Sequence, residues 1–256
     1  MDELVGAKVY DKFGLDFPLL IKYIDTNDVL SVQVHPNDEL AKKNHNSYGK
    51  TEMWYIIDAE PDAELILGFN KEITAEEFSQ VITSNTLKDT LAVQKVSAGD
   101  AFYIPAGLVH AIGKGILLAE IQQTSDITYR LYDWDRVDEH GQSRDLHIDL
   151  GIEAIDFSIT NTQKISYSVQ ENGTGKIIDS PFFTTNIIYA TQQIQKDYYI
   201  IDSFVLYMCV EGSANISYED EKKLPISKGE TMLLPCSLSE ITITPTPFVK
   251  ILEIYM

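Results

Sequence analysis

Gln33, His35, Lys50 and Glu52 are the residues whose types and spacing could do chemistry. Between Leu30 and Asp38 the apolar Val32 and Val34 alternate with Gln33 and His35, and between Gly49 and Trp54 the pair Lys50 and Glu52 repeats that spacing. A β-strand sends successive side chains to opposite faces, so such a strand buries one face in a core and offers a donor set on the other. Imidazole, amide and carboxylate groups in that setting point to metal binding, and a metal enzyme is the leading reading.

The elements that must position these groups are mostly strands. Short apolar runs at 17–24, 53–57, 65–69, 101–104, 116–121, 204–210, 231–234 and 249–255 are often bounded by Gly, Pro, Asn or Asp, the pattern of an all-β sandwich or barrel. Helices are minor. Thr74 with Glu77 forms a capping box that opens a short helix to about Ile82, residues 146–155 carry helical spacing, and Asn37 is placed to cap a helix over 38–43. A segment also repeats. Residues 96–110 align without a gap on 226–240, matching Gly99 to Gly229, Asp100 to Glu230 and Pro105 to Pro235, whereas Glu240 stands in the place of His110. Two related β-units follow, the first metal-binding and the second degenerate. The expected organisation is a catalytic domain over 1–155, a polar connection over 156–180, and a C-terminal domain without metal ligands over 181–256.

The whole chain sets bounds on partners. Its 256 residues are 44% hydrophobic and 10% aromatic, enough for a real core, and the formal net charge of −19 disfavours nonspecific nucleic-acid binding. An anionic substrate must therefore meet a local cluster of cations. No apolar run approaches the roughly 20 residues that span a bilayer, and no basic stretch precedes an apolar one at the start, so a soluble, cytoplasmic protein without membrane partners is expected. Cys209 and Cys236 lie far apart in apolar text and read as buried, reduced thiols.

The turn, strand, Pro-Xaa-Gly and His pattern resembles the cupin fold. More narrowly, 33–38, 49–54, 104–112 and 120–130 resemble, in order, four motifs of type I mannose-6-phosphate isomerase, and the resemblance covers most of 15–155. It implies two jelly-roll β-units and one Zn²⁺ per chain, with Gln33, His35, Glu52 and His110 as ligands. It places Lys50 and Arg130 in the active site as catalytic and substrate-binding residues, and Glu120 and Asp126 at motif positions that touch substrate or orient its neighbours. His45, His140 and His147 match no partner and read as structural or exposed. Val5 to Phe13 resembles text well inside the usual family chain, so either the start is truncated or this form lacks the preceding region; if those strands are absent, a sheet edge would be exposed and part of the pocket wall missing.

The reaction that the resemblance implies is interconversion of D-mannose 6-phosphate and D-fructose 6-phosphate through an enediolate, on a small-molecule phosphosugar, by a monomer or weak homo-oligomer. Zn²⁺ would be the electrophile, Arg130 would stabilise charge or phosphate, and Lys50 would assist proton transfer or bind substrate. The general base stays open among Glu, Lys and metal-bound hydroxide. Two other readings stand beside it: an Fe²⁺-dependent cupin oxygenase, and an inactive sugar-phosphate-binding cupin module.

Overall fold

The computed structural model describes residues 1–219 and 222–256. Within them the helices are α1 (Asp2–Val5), α2 (Ala7–Phe13), α3 (Asp38–His45), α4 (Ala75–Thr83) and α5 (Ile148–Ala154); the remaining regular structure is mostly strand. The capping box forms as the sequence predicts, with Glu77 N–H donating to Thr74 Oγ1 at 3.2 Å and Thr74 N–H to Glu77 Oε2 at 2.8 Å. Asn37 caps α3 by accepting from Leu40 N–H at 2.9 Å, and α5 falls within the predicted 146–155 segment.

Two compact units divide the chain: Leu19–Lys164, and Met1–Pro18 with Ile165–Met256. The first contains β1 (Leu19–Thr26), β2 (Val32–Val34), β3 (Glu52–Ala59), β4 (Glu64–Phe69), β5 (Leu91–Lys95), β6 (Ala101–Ile104), β7 (His110–Ile112), β8 (Ile116–Gln123) and β9 (Tyr129–Tyr132). They form a four-stranded sheet in the order β1-β8-β3-β6 and a five-stranded sheet in the order β5-β4-β7-β2-β9. Among the described residues no ladder joins the two, so they are two sheets rather than the closed barrel that the family pattern suggests. Their inner faces share one core that includes Trp54, Ile56, Leu65, Leu67, Phe102 and Leu118. Val32 and Val34 point the other way, into a core with Ile66, Phe78 and Leu131 in which Leu150 and Ile152 of α5 take part. The two valines hold β2 from behind, and Gln33 is thereby aimed inward.

The second unit has one seven-stranded sheet, made of β10 (Gly173–Asp179), β11 (Thr184–Ala190), β12 (Ile194–Asp197), β13 (Val205–Tyr218), β14 (Lys222–Ser227), β15 (Thr231–Leu234) and β16 (Glu240–Tyr255). Residues 1–18 pack with it rather than with the unit Leu19–Lys164, where the sequence placed them. Contacts distant in sequence account for this: the Asp202 carboxylate accepts from the first-turn amides of α2, Ala7 N–H at 2.8 Å and Lys8 N–H at 3.2 Å, and the Phe17 and Phe204 rings meet at 4.5 Å. The stretch 156–180, expected as a connection, contributes β10 to this sheet. Its polar text is that of an edge strand exposed along much of its length.

The internal repeat is structural. Gly99 and Gly229 both turn at positive φ, 90° and 89°, and their amides donate to Ile56 and Cys209 carbonyls at 2.8 and 2.9 Å. Asp100 accepts from Ser97 N–H at 3.1 Å as Glu230 accepts from Ser227 N–H at 2.7 Å. In register, Glu52 pairs with Ile104 and Trp54 with Phe102, while Val205 pairs with Leu234 and Tyr207 with Met232. The correspondence between 96–110 and 226–240 thus extends to the strand beside them, at an offset of 153 rather than 130, and Val205 takes the place of Glu52.

Gly68 in β4 has φ 87° and lies so close to Thr160 that a Cβ would stand 2.1 Å from its carbonyl oxygen. Gly68→Ala combines left-handed strain with a backbone clash and is expected to destabilise the chain by at least about 2 kcal/mol. Urea denaturation checks this, and an unchanged midpoint would contradict it.

Candidate metal centre and active site

The site is assembled from the inner faces of both sheets of the unit Leu19–Lys164. On one sheet Gln33 pairs with His110 of β7 and with Arg130 of β9, so three neighbouring strands present these side chains on one face. On the other sheet Glu52 pairs with Gln122, and the next inward row is Lys22, Glu120 and Trp54. His35 follows β2 and is anchored by its carbonyl, which accepts Gly107 N–H at 2.9 Å. The loop into β3 is pinned by Asp38 Oδ1, which accepts from Gly49 N–H at 2.8 Å and Gln123 Nε2 at 2.9 Å, and by Lys50 N–H donating to Pro36 O at 3.1 Å.

His35, Glu52 and His110 come together with ligand atoms within 4.8 Å of one another, all buried. Each ring is oriented from behind. His35 Nδ1 lies 2.9 Å from the Ile127 carbonyl and His110 Nδ1 2.9 Å from the Leu108 carbonyl, so Nδ1 carries the proton in both and Nε2 presents a lone pair. His35 Nε2 then faces Glu52 Oε1 at 3.2 Å, and both atoms are buried without a hydrogen-bond partner. Two acceptors held this close with no proton between them need a cation, and a metal ion fits. Gln33 Nε2 is 3.3 Å from His110 Nε2; turning the amide by half a revolution exchanges its N and O and presents Oε1 as a fourth ligand.

The charges agree with that reading. Burial pushes His110 down to about 3, helped by His35 beside it, and burial likewise lowers His35, so both rings are neutral ligands. Burial works to raise the Glu52 carboxyl, but the Lys50 ammonium, 3.3 Å from Oε1, opposes this, and the carboxyl is held below the usual carboxylate range. Two neutral imidazoles, one amide oxygen and one carboxylate would leave a bound divalent ion with net positive charge.

Around the cluster the structure places the other expected residues unevenly. Lys50 is buried at its edge. Glu120 is buried one row away, and Trp54 Nε1–H donates both to its Oε2, at 2.9 Å, and to Glu52 Oε2, at 3.1 Å. Burial, with the Glu52 charge second and Lys22 opposing, raises Glu120 to about 7. Arg130 is framed by His147: Arg130 N–H donates to His147 Nδ1 at 3.1 Å and His147 N–H to the Arg130 carbonyl at 2.8 Å. Its guanidinium donates to the Asp145 carbonyl at 2.8 Å and keeps a buried Nε–H without a partner. Asp126 stands exposed on the loop between β8 and β9, and among the described residues no hydrogen bond or ion pair joins it to the cluster. His45 meets the Tyr129 hydroxyl at 2.7 Å, and His140 is exposed.

Sequence reading missed Lys22 and the bridging role of Trp54. A lone lysine inside the apolar run 17–24 was the available signal for the first. The second had none, because a tryptophan in an apolar strand reads as core.

His110→Ala removes an inward ligand without touching the others and is expected to lower bound metal at least about tenfold. Elemental analysis of the purified variant decides this; full occupancy would refute the assigned centre.

The family described as phosphomannose isomerase type I, catalytic domain, matches residues 1–67. Mannose-6-phosphate isomerase ManA of Bacillus subtilis (strain 168) is 42% identical over 233 residues, 89% of this chain and 72% of the relative. The mannose-6-phosphate isomerase of Streptococcus mutans is 39% identical over 223 residues, 86% of this chain and 68% of the relative. The crystal structure of the mannose 6-phosphate isomerase from Bacillus subtilis superposes with a TM-score of 0.86 at 31% identity, covering 97% of this chain and 81% of that one. A sequence this similar over most of its length, on the same cupin-type fold, belongs to the type I mannose-6-phosphate isomerase family.

Proposed function

We propose that the chain interconverts D-mannose 6-phosphate and D-fructose 6-phosphate with one Zn²⁺ held by His35, Glu52, His110 and Gln33. The observation that carries the reading is the buried pair His35 Nε2 and Glu52 Oε1, neither with a hydrogen-bond partner and the latter with the Lys50 ammonium at 3.3 Å, in a chain whose relatives bear that activity in their names. Mixed imidazole and oxygen donors suit Zn²⁺. When bound there, the metal supplies a Lewis acid for the sugar oxygens that gain negative charge.

The chain's own residues account for the rest. Aldose to ketose isomerisation moves one proton between C2 and C1, passes through an enediolate, and shifts a hydroxyl proton between the two oxygens. Glu120 is suited to carry the carbon-bound proton, because a carboxyl that titrates near neutrality can take it up and return it at working pH. Lys50, buried beside Glu52, offers a fixed positive charge to the developing oxyanion, and the free Nε–H of Arg130 offers a donor to an enediolate or phosphate oxygen. In a chain of net charge −19 these cations give an anionic sugar somewhere to bind.

An assay that couples fructose 6-phosphate formation to a dye, run with and without chelator, tests the reading. Turnover that disappears with chelator and returns with Zn²⁺ is the expected result, and no turnover at any Zn²⁺ level would refute it. Arg130→Ala is expected to cut kcat/KM at least about a hundredfold with metal content unchanged. Burial raises Glu120, and a cation bound at Glu52 would draw it back down, so with Zn²⁺ bound kcat/KM should fall with decreasing pH along an acid limb that Glu120→Gln removes. A flat profile from pH 5 to 8 would remove Glu120 from the role.

A further inference from the structure

All three arginines of the chain, Arg130, Arg136 and Arg144, fall in the single stretch 130–144, while lysines supply every other basic position. A guanidinium is a rigid fork of donors where an ammonium is a point charge, so this stretch is built for directed hydrogen bonds. Two of the three meet at Asp133, which is buried. Arg144 grips the carboxylate with two prongs, Nε donating to Oδ2 at 2.7 Å and Nη2 to Oδ1, and Arg136 Nη2 donates to the same Oδ1. Burial works to raise the Asp133 carboxyl, but the Arg144 and Arg136 guanidiniums hold it below the usual carboxylate range, so this buckle stays closed at neutral pH.

The backbone is bent to make the buckle. Trp134 and Asp135 both have positive φ, 57° and 56°, in a turn that Arg136 N–H closes on the Asp133 carbonyl at 3.1 Å. Asn-Gly is the usual filling of such a turn, and a tryptophan there is strained. The surroundings hold it in place: Trp134 Nε1–H donates to the Leu30 carbonyl at 2.8 Å, and Arg136 Nη1 to the Val29 carbonyl at 2.7 Å.

The third arginine lies at the other end of the same strap. β9 is the outer strand of its sheet, and His147 serves the Arg130 N–H and carbonyl in place of a further strand. Asp145, whose carbonyl accepts from the Arg130 guanidinium, therefore sits between two anchors, Arg144 on the Asp133 carboxylate and His147 on the Arg130 backbone. Residues 137–146 are all exposed, so packing cannot replace either anchor.

We propose that Asp133 is a positioning residue for Arg130: through Arg144 it fixes the Asp145 carbonyl, which in turn orients the Arg130 guanidinium toward the substrate anion. The inference rests on Arg130 as the group that meets the enediolate or phosphate.

The test uses the Zn²⁺-loaded full chain with Asp133→Asn and Arg144→Gln, each alone, both together, and each added to Arg130→Ala. Arg144 is 54% exposed, so its exchange leaves the core untouched. Each single variant is expected to lose at least about tenfold in kcat/KM at pH 7 with zinc still at one per chain, because a small misplacement of a charge-stabilising group is costly. The double variant should lose no more than roughly twofold beyond the worse single one, and in the Arg130→Ala background neither change should cost more than about twofold, whereas a role in folding alone would lower every background alike. Asp133→Glu, which keeps the charge, should recover most of the loss. Arginine ¹⁵N spectra add a readout that needs no substrate. The chain gives three Nε–H signals, and that of Arg130, identified by its loss in Arg130→Ala, should exchange with water at least about tenfold faster in Asp133→Asn and Arg144→Gln. Unchanged kcat/KM, an equal loss in the Arg130→Ala background, or zinc lost in step with activity would each overturn the proposal, the last by making the buckle a support for β2. A wild-type chain without turnover would refute the isomerase reading instead, and the Arg130 exchange rate would still decide for or against the buckle.

Discussion

Two buried lone pairs that face each other constrain this structure more than any other contact. His35 Nε2 and Glu52 Oε1 are 3.2 Å apart, and the opposite nitrogen of the ring already gives its proton to the Ile127 carbonyl. Leaving a buried polar group unpaired costs about 1–3 kcal/mol; the Lys50 ammonium, 3.3 Å from Oε1, offsets this for the carboxylate, and a cation that also met His35 Nε2 would satisfy both atoms. Much of the surrounding architecture serves to keep the pair in place. Val32 and Val34 fix β2 from behind, Trp54 occupies the other oxygen of Glu52, and the Asp38, Gln123 and Thr51 bonds hold the loop that delivers Lys50. A site preorganised in this way binds without first rearranging, and it concentrates positive charge where a sugar oxygen would gain negative charge.

The two β-units show which parts of that arrangement belong to the fold and which to the chemistry. Both have the glycine turn, the acidic residue that closes it, and a buried glutamate on the long strand that follows. What differs is the set of groups around that glutamate. In one unit the Tyr198 hydroxyl, the Asn186 amide and the Lys196 ammonium saturate Glu253, and the network is closed. In the other Glu120 is held by Lys22 and the Trp54 indole next to a ligand carboxylate. A buried ionised group that is fully paired contributes specificity of packing, whereas one held between a cation and a shared donor stays responsive to its surroundings.

Much of the centre was legible in the sequence because its ligands lie on short strands, where period-two alternation maps directly onto faces. Gln33 and Glu52 are read that way, His110 came from the family resemblance, and the capping box and turns follow from local chemistry alone. Three features were not legible, each because it depends on contacts distant in sequence. The N-terminal helices joined the second unit through Asp202, nearly 200 residues away. Trp54 bridges two carboxylates, one of them 66 residues later. Lys22 reaches Glu120 only once β1 has paired with β8. Asp126 illustrates the reverse, since a motif position that invites a substrate role stands exposed outside the cluster.

X-ray absorption at the zinc edge of the Zn²⁺-loaded chain tests the central claim most directly. The account predicts a first shell of nitrogen and oxygen only, at about 2.0–2.2 Å, with the outer-shell scattering of two imidazoles. A shell containing sulfur, or a water-like shell without imidazole scattering, would contradict it.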